Sequence, residues 1–222
     1  MKKVVFTAIV AGILGLTGFA QNNSIGQSDP DAKKILDAVS KKIKSYKAVE
    51  ASFTLKIEDS KGNLQGSKKG TVWMKGNKYK VVITGQEIFC DGTTVWTYDK
   101  SSNEVTVTKF DPSANNTTPQ KIFTDFYDKD FLYKLNGEQK VAGRTLQEIE
   151  MTPVDKTKNF FKIYVYVDKA KKTVSSTRML DKNGNKYSYS INSLNGNASL
   201  SDASFTFDKT KYPGVEVVDL RE

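Results

Sequence analysis

The 222-residue chain carries 34 Lys and Arg against 25 Asp and Glu, a net charge of +9 at neutral pH, and it contains no histidine and one cysteine. Without imidazole there is no serine–histidine or cysteine–histidine nucleophile and no histidine metal centre, and one thiol forms neither an intrachain disulfide nor a thiolate metal cage. The positive charge is spread along the chain, which suits acidic surfaces but lacks the clustered element or motif of a nucleic-acid binder.

Lys2 and Lys3 precede an apolar run from Val4 to Leu16 that ends in Gly18-Phe19-Ala20, followed by polar Gln21-Asn22-Asn23. The run is shorter than the ~20 residues of a membrane span, and small residues flank a cut after Ala20. Residues 1–20 therefore read as a cleaved signal peptide. No cysteine lies near the cut to take a lipid anchor, so the mature protein is expected to be exported and soluble. Residues 21–28 read as a flexible mature N-terminus, and 29–222 as one domain, because roughly 200 residues suit a single core.

The spacing of Ile35, Leu36, Val39, Ile43 and Tyr46 predicts a helix over 29–46, with Ser28 or Asp29 as cap and Pro30 in its first turn. From Val49 the period becomes two, with Val49, Ala51, Phe53, Leu55 and Ile57 alternating with polar residues up to the Lys61-Gly62-Asn63 turn. Further strands are expected over 66–75, 78–84, 87–90, 94–98 and 104–110. The turns between them are too short for parallel crossovers, so an antiparallel meander follows.

After a polar loop over 111–118, Thr118-Pro119 opens a short helical stretch with Ile122, Phe123, Phe126 and Tyr127 on one side. Strands resume over 131–135, 145–151, 160–168, 174–181, 186–194 and 205–207, with Asn183-Gly184 as the clearest hairpin turn. The predicted fold is mainly β: a large antiparallel, incomplete, half-open barrel with an N-terminal helix and a short mid-chain helical lid. Its apolar side must be filled, covered or occupied by a ligand.

Paired carboxylates are the remaining route to acid–base chemistry, with Asp125, Asp128, Asp130, Glu148 and Glu150 available. Glu148 and Glu150 share one face of a strand, but acidic residues alternating with apolar ones describe any water-facing sheet side. No enzyme, cofactor or metal site is expected. Cys90, in Ile88-Phe89-Cys90, is expected to be a buried, unreactive thiol.

Four blocks in order carry a resemblance: Ala51-Ser52-Phe53-Thr54 with Gly62 and Gly70-Thr71-Val72-Trp73-Met74-Lys75; Asp91-Gly92-Thr93-Thr94-Val95-Trp96-Thr97-Tyr98-Asp99; Phe161-Lys162-Ile163-Tyr164-Val165 with Asn183-Gly184-Asn185; and Phe205-Thr206-Phe207 with Pro213-Gly214-Val215-Glu216-Val217-Val218-Asp219. Together they resemble the LolA family of periplasmic lipoprotein carriers over nearly the whole mature chain. The resemblance implies an unclosed antiparallel barrel whose helices form a lid over an apolar cavity. It implies a monomeric carrier that takes acylated lipoproteins from an inner-membrane release complex to an outer-membrane acceptor. A rival of the same fold is a sensing module that binds lipids or lipoproteins without transporting them. On this reading the cavity wall is Phe53, Leu55, Trp73, Tyr79, Val81, Ile88, Trp96, Ile163, Val165 and Phe205, and the lid is Ile35, Val39, Ile43, Phe123 and Phe126. Family members commonly carry Arg-Pro after the Trp-x-Lys segment, where the arginine touches the lid. Here Lys75-Gly76-Asn77 stands in that place, leaving Lys75 or Lys78 as the candidate substitute.

Overall fold

Residues 28–111 and 127–221 are described by the computed structural model of the chain. Asp29 caps α1 (Pro30–Lys44), accepting the Asp31 N–H at 2.8 Å, with Pro30 at the first position where a missing N–H costs nothing. Lys41, Lys42 and Lys44 close the last turn, where the helix dipole favours positive charge. Six strands follow: β1 (Val49–Glu58), β2 (Leu64–Lys75), β3 (Lys78–Ile83), β4 (Gln86–Cys90), β5 (Thr94–Asp99) and β6 (Glu104–Lys109). A short α2 (Tyr127–Asp130) leads into β7 (Phe131–Val141), β8 (Arg144–Pro153), β9 (Phe160–Asp168), β10 (Thr173–Asp181) and β11 (Lys186–Asn195), and the chain ends in β12 (Glu216–Asp219).

All twelve strands lie in one open sheet in the order β12-β6-β5-β4-β3-β2-β1-β11-β10-β9-β8-β7. Two meanders are therefore joined where β11 returns to pair with β1, Leu55 opposite Tyr189 and Ile57 opposite Tyr187. The turns follow their chemistry: Gly184 has φ 85°, and the Asp181 carboxylate accepts the Asn183 and Asn185 N–H groups around it. The meander expected from the sequence holds through β11 and fails at the C-terminus. β12 pairs parallel to β6, Val217 opposite Val105, which the long return over 196–215 makes geometrically accessible. The strand expected at 205–207 is instead a 3-10 turn, Asp202–Phe205, and its following residues. The expected lid stretch with Phe123 and Phe126 lies outside the described residues, as do the expected signal peptide and most of the flexible N-terminus.

Because direct cross-strand partners point the same way, the register divides the sheet into two faces. On one, called the helix face here, Ala32, Leu36, Val39 and Ile43 of α1 pack with Tyr133, Ile149, Met151, Val165 and Val167. Asp29 ties the start of α1 to the edge strand: its N–H donates to the Tyr133 carbonyl at 2.9 Å and its carboxylate accepts the Leu135 N–H at 3.0 Å. On the far face, the returning chain over 200–215 forms a strap across β2–β6. Phe205 is 0% exposed in that strap, and Phe207 stacks on Tyr212 at 4.5 Å while meeting Phe89 edge-on at 5.7 Å.

Candidate functional site

The residues expected to form one wall fall on both faces. Phe53 pairs with Gly70, Val81 with Val72 and with Ile88, Tyr79 with Cys90, and Ile163 with Met151, so Phe53, Leu55, Tyr79, Val81, Ile88, Ile163 and Val165 all point to the helix face. Trp73 pairs with Lys80 and Trp96 with Phe89 and Val107, which sets both tryptophans on the far face. Trp96 packs there with Tyr98, Val105 and Val215, and Phe205 is sealed in the strap. The reason is parity. A strand that is apolar at both odd and even positions has two coverable faces, and alternation alone does not say which cover lies where.

Lys75 and Lys78 also belong to the far face. Their ammonium groups reach Asp202 at 2.9 and 2.6 Å, so the pair fastens the C-terminal strap, not α1. Both lysines hold the Asp202 carboxyl down at about 2, the hydrogen bond from Lys78 contributing most. Both lysines pair with the strap, and the expected lid stretch they are candidates to touch lies outside the described residues. What fastens α1 instead is Asp29 on β7 and Asp37, whose carboxylate accepts the Tyr127 hydroxyl at 2.8 Å.

The helix face is itself uneven. Under α1 it is packed, and Val39 and Ile43 are buried there with Ile35 beside them. A second buried group, Val49, Ala51, Val72, Met74, Tyr79 and Cys90, closes the end where β1 begins. Burial there pushes the Tyr79 phenol up to about 12, with help from neighbouring Cys90, and raises the Cys90 thiol in turn. Cys90 is a buried free thiol.

Toward the opposite ends of β1–β4 and β9–β11 the same face stays apolar, and no described helix or strap lies over it. Phe53, Ile57, Val81, Ile83, Ile88, Ile163, Met179, Tyr187 and Ile191 are half-buried there, and Tyr189 is 37% exposed. Phe53 and Tyr189 face each other with ring centroids 6.2 Å apart. Such a surface offers apolar contact, and among the described residues no three His, Cys, Asp or Glu gather to hold a metal. Ile57, Ile83, Met179, Tyr187, Tyr189 and Ile191 were not singled out as wall residues from the sequence, although Ile57 continues the alternation of Phe53 and Leu55. Glu148 and Glu150 lie on the far face, where Asn136 donates to Glu148 at 2.9 Å and Lys162 pairs with Glu150 at 2.6 Å. They are bound into a surface network there, away from the apolar face.

Comparison with known proteins adds an independent line. The profile of the family described as "Outer membrane lipoprotein carrier protein LolA" matches residues 44–208. An outer-membrane lipoprotein carrier protein from Klebsiella pneumoniae subsp. pneumoniae is 26% identical over 229 residues, covering 100% of both chains. One from Serratia proteamaculans is 26% identical over 211 residues, covering 93% of this chain and 95% of its own. Among solved structures, an uncharacterized conserved protein from Thermus thermophilus superposes with a TM-score of 0.59 at 14% identity, covering 85% of this chain and 99% of that one, which bears on the fold alone.

Proposed function

The chain belongs to the LolA family of outer membrane lipoprotein carrier proteins, and from that premise we propose that it shields the acyl chains of lipoproteins on the uncovered part of its helix face. It would carry them through the periplasm from an inner-membrane release complex toward an outer-membrane acceptor, as a monomeric carrier without a catalytic step. The observation that supports this most directly is the set of half-exposed apolar side chains, Val81, Ile83, Phe53, Ile57, Tyr189 and Met179, that share one face of an open sheet.

The physical demand on such a carrier is severe. Exposing an acyl chain of about fifteen methylenes to water costs about 12 kcal/mol at ~0.8 kcal/mol each. A protein that offsets most of this must still release its cargo, so an open, incompletely enclosing surface suits it better than a sealed pocket. A cover such as α1 can exchange contacts with the sheet for contacts with the cargo only if the two states differ by a few kcal/mol. Lifting α1 gives up the burial of Ala32, Leu36, Val39 and Ile43 as well as its cap and the Asp37–Tyr127 hydrogen bond, so cargo contacts must offset that burial.

Gentle purification from a diderm bacterium, followed by mass spectrometry of what stays bound, tests the reading. Stoichiometric acylated lipoprotein or its lipid is expected. A preparation that retains none, and does not take up an acylated peptide when it is supplied, would count against it.

A further inference from the structure

We propose that the end of the sheet next to Ile57, Ile83 and Met179 is a rim that docks on an anionic phospholipid bilayer. Its exposed apolar side chains enter the headgroup layer and its lysines meet lipid phosphates. This goes beyond the carrier reading, because it concerns the protein without cargo. Three turns lie side by side there: residues 59–63 between β1 and β2, 154–159 between β8 and β9, and 182–185 between β10 and β11. A Cβ built on Gly184 would lie 2.8 Å from Cβ of Ser60, which places the first turn against the third. The Lys182 N–H donates to the Asn159 carbonyl at 2.9 Å and its ammonium to the Lys156 carbonyl at 2.7 Å, which ties the third turn to the second.

Along this rim large apolar side chains stand in water. Leu64 is 61% exposed, Val154 52% and Phe161 46%. Five strand spacings separate β2 from β8, about 24 Å along the sheet at ~4.8 Å each. The three side chains are thus spread along an edge and not gathered into a pocket. One exposed apolar residue needs no explanation, but several on one edge within a basic border are what a membrane contact presents. At the opposite end of the strands the exposed Val141 and Leu220 lie on β7 and just past β12, the two edge strands.

The border is basic by arrangement as well as by number. Residues 59–64, 154–161 and 182–186 hold five lysines and two aspartates. Both aspartates are turned back into their own loops. Asp59 accepts the Lys61 and Asn63 N–H groups at 2.9 Å, and Asp155 accepts the Thr157 N–H and hydroxyl at 2.8 and 2.7 Å. Lys61, Lys156 and Lys182 are exposed. Where an ammonium holds a loop carbonyl, as that of Lys156 does with Pro153 at 3.1 Å, it keeps further donors for a phosphate oxygen. An acidic protein would use the lysines but gives no role to Leu64, Val154 and Phe161. A bilayer, charged at its surface and apolar beneath, uses both.

The test uses the full mature chain without cargo. Cys90→Ala removes the native thiol, and Val154→Cys or Lys171→Cys then supplies one site for the environment-sensitive dye NBD, at the rim or at the opposite end. With vesicles of phosphatidylethanolamine and phosphatidylglycerol, NBD at 154 is expected to shift to the blue and NBD at 171 to stay unchanged, and phosphatidylcholine vesicles should move neither. In flotation assays, Lys61→Glu/Lys156→Glu and Val154→Ser/Phe161→Ser should each bind the anionic vesicles at least tenfold more weakly than wild type, with melting temperatures retained. Lys140→Glu/Lys171→Glu should bind as wild type does. No vesicle binding by wild type, an equal dye shift at 171, wild-type binding by either rim variant, or an equal loss in the Lys140/Lys171 variant overturns the rim. Should a rim variant not fold, the two dye positions decide alone. None of these measurements uses an acylated ligand, so their failure leaves the carrier reading standing.

Discussion

Two stretches of apolar surface are covered by described segments of the chain and a third stays half-buried, and the contrast separates residues that are spent on the fold from residues that remain accessible. Under α1, Ile149 and Met151 are 0% exposed. Under the C-terminal strap, Phe205 is equally buried, and Tyr98, Phe207 and Tyr212 stack together. Along β1–β4 and β9–β11, residues of the same kind, Ile57, Ile83 and Met179, keep part of their surface in water. Residue type does not separate these regions. What separates them, among the described residues, is whether another segment lies on top.

The contrast can be broken most forcefully at the strap. Phe205→Ala should destabilise the protein by about 3–5 kcal/mol, because a fully buried ring leaves a cavity as well as lost transfer energy. The denaturant midpoint reads this, and acyl affinity in the protein that remains folded should stay near wild type.

Beneath α1, Ile149→Ala is expected to cost about 2–5 kcal/mol for the same reason. Its counterpart on the open ground, Ile83→Ala, should cost less, about 1–2 kcal/mol, since part of that side chain stays in water, yet it should weaken acyl binding measurably. Equal stability losses at the two positions would remove the distinction between covered and open ground.

A smaller effect is expected where the cover is fastened. Asp29→Ala removes the helix cap and the acceptor for the Leu135 N–H, and should cost about 1 kcal/mol. Faster amide exchange confined to α1 and the adjoining part of β7 would show that the helix has been loosened while the sheet persists.

The smallest effect concerns pH. Asp202 has its pKa lowered to about 2 by Lys78 and Lys75, against an ordinary aspartate value of ~3.9. A depressed carboxyl contributes stability that is fully present above the ordinary value and is lost as pH falls through the folded one. The strap should therefore loosen between about pH 4 and pH 2, read by the fluorescence of Trp73 and Trp96 on the same face. Asp202→Asn should remove that step, and high salt should shrink it, because exposed pairs are screened.

Much of the fold was legible from local pattern. Alternation located β1 through β11 to within a few residues, the Pro30 and Asp29 signals started α1 where it begins, and Asn183-Gly184 turned the chain as expected. β7 proved longer than its apolar core because polar residues extend it to Val141, and β12 went unassigned because four residues paired in parallel carry little local signal. The site was legible only by halves. Phe53, Leu55, Val81 and Ile88 share the helix face, but Trp73 and Trp96 lie beneath a strap whose course depends on contacts more than a hundred residues away in sequence, such as Lys75 with Asp202.

Photocrosslinking tests most directly whether cargo lies on the helix face and not on the tryptophan face. A palmitoyl peptide with a diazirine near the end of its chain would be bound, irradiated, and its adducts mapped by peptide mass spectrometry. Adducts on β1, β3 and β11, at residues such as Phe53, Ile57, Ile83 and Tyr189, are expected. Adducts concentrated at Trp73, Trp96 or the strap around Phe205 would contradict the assignment of the lipid-bearing face.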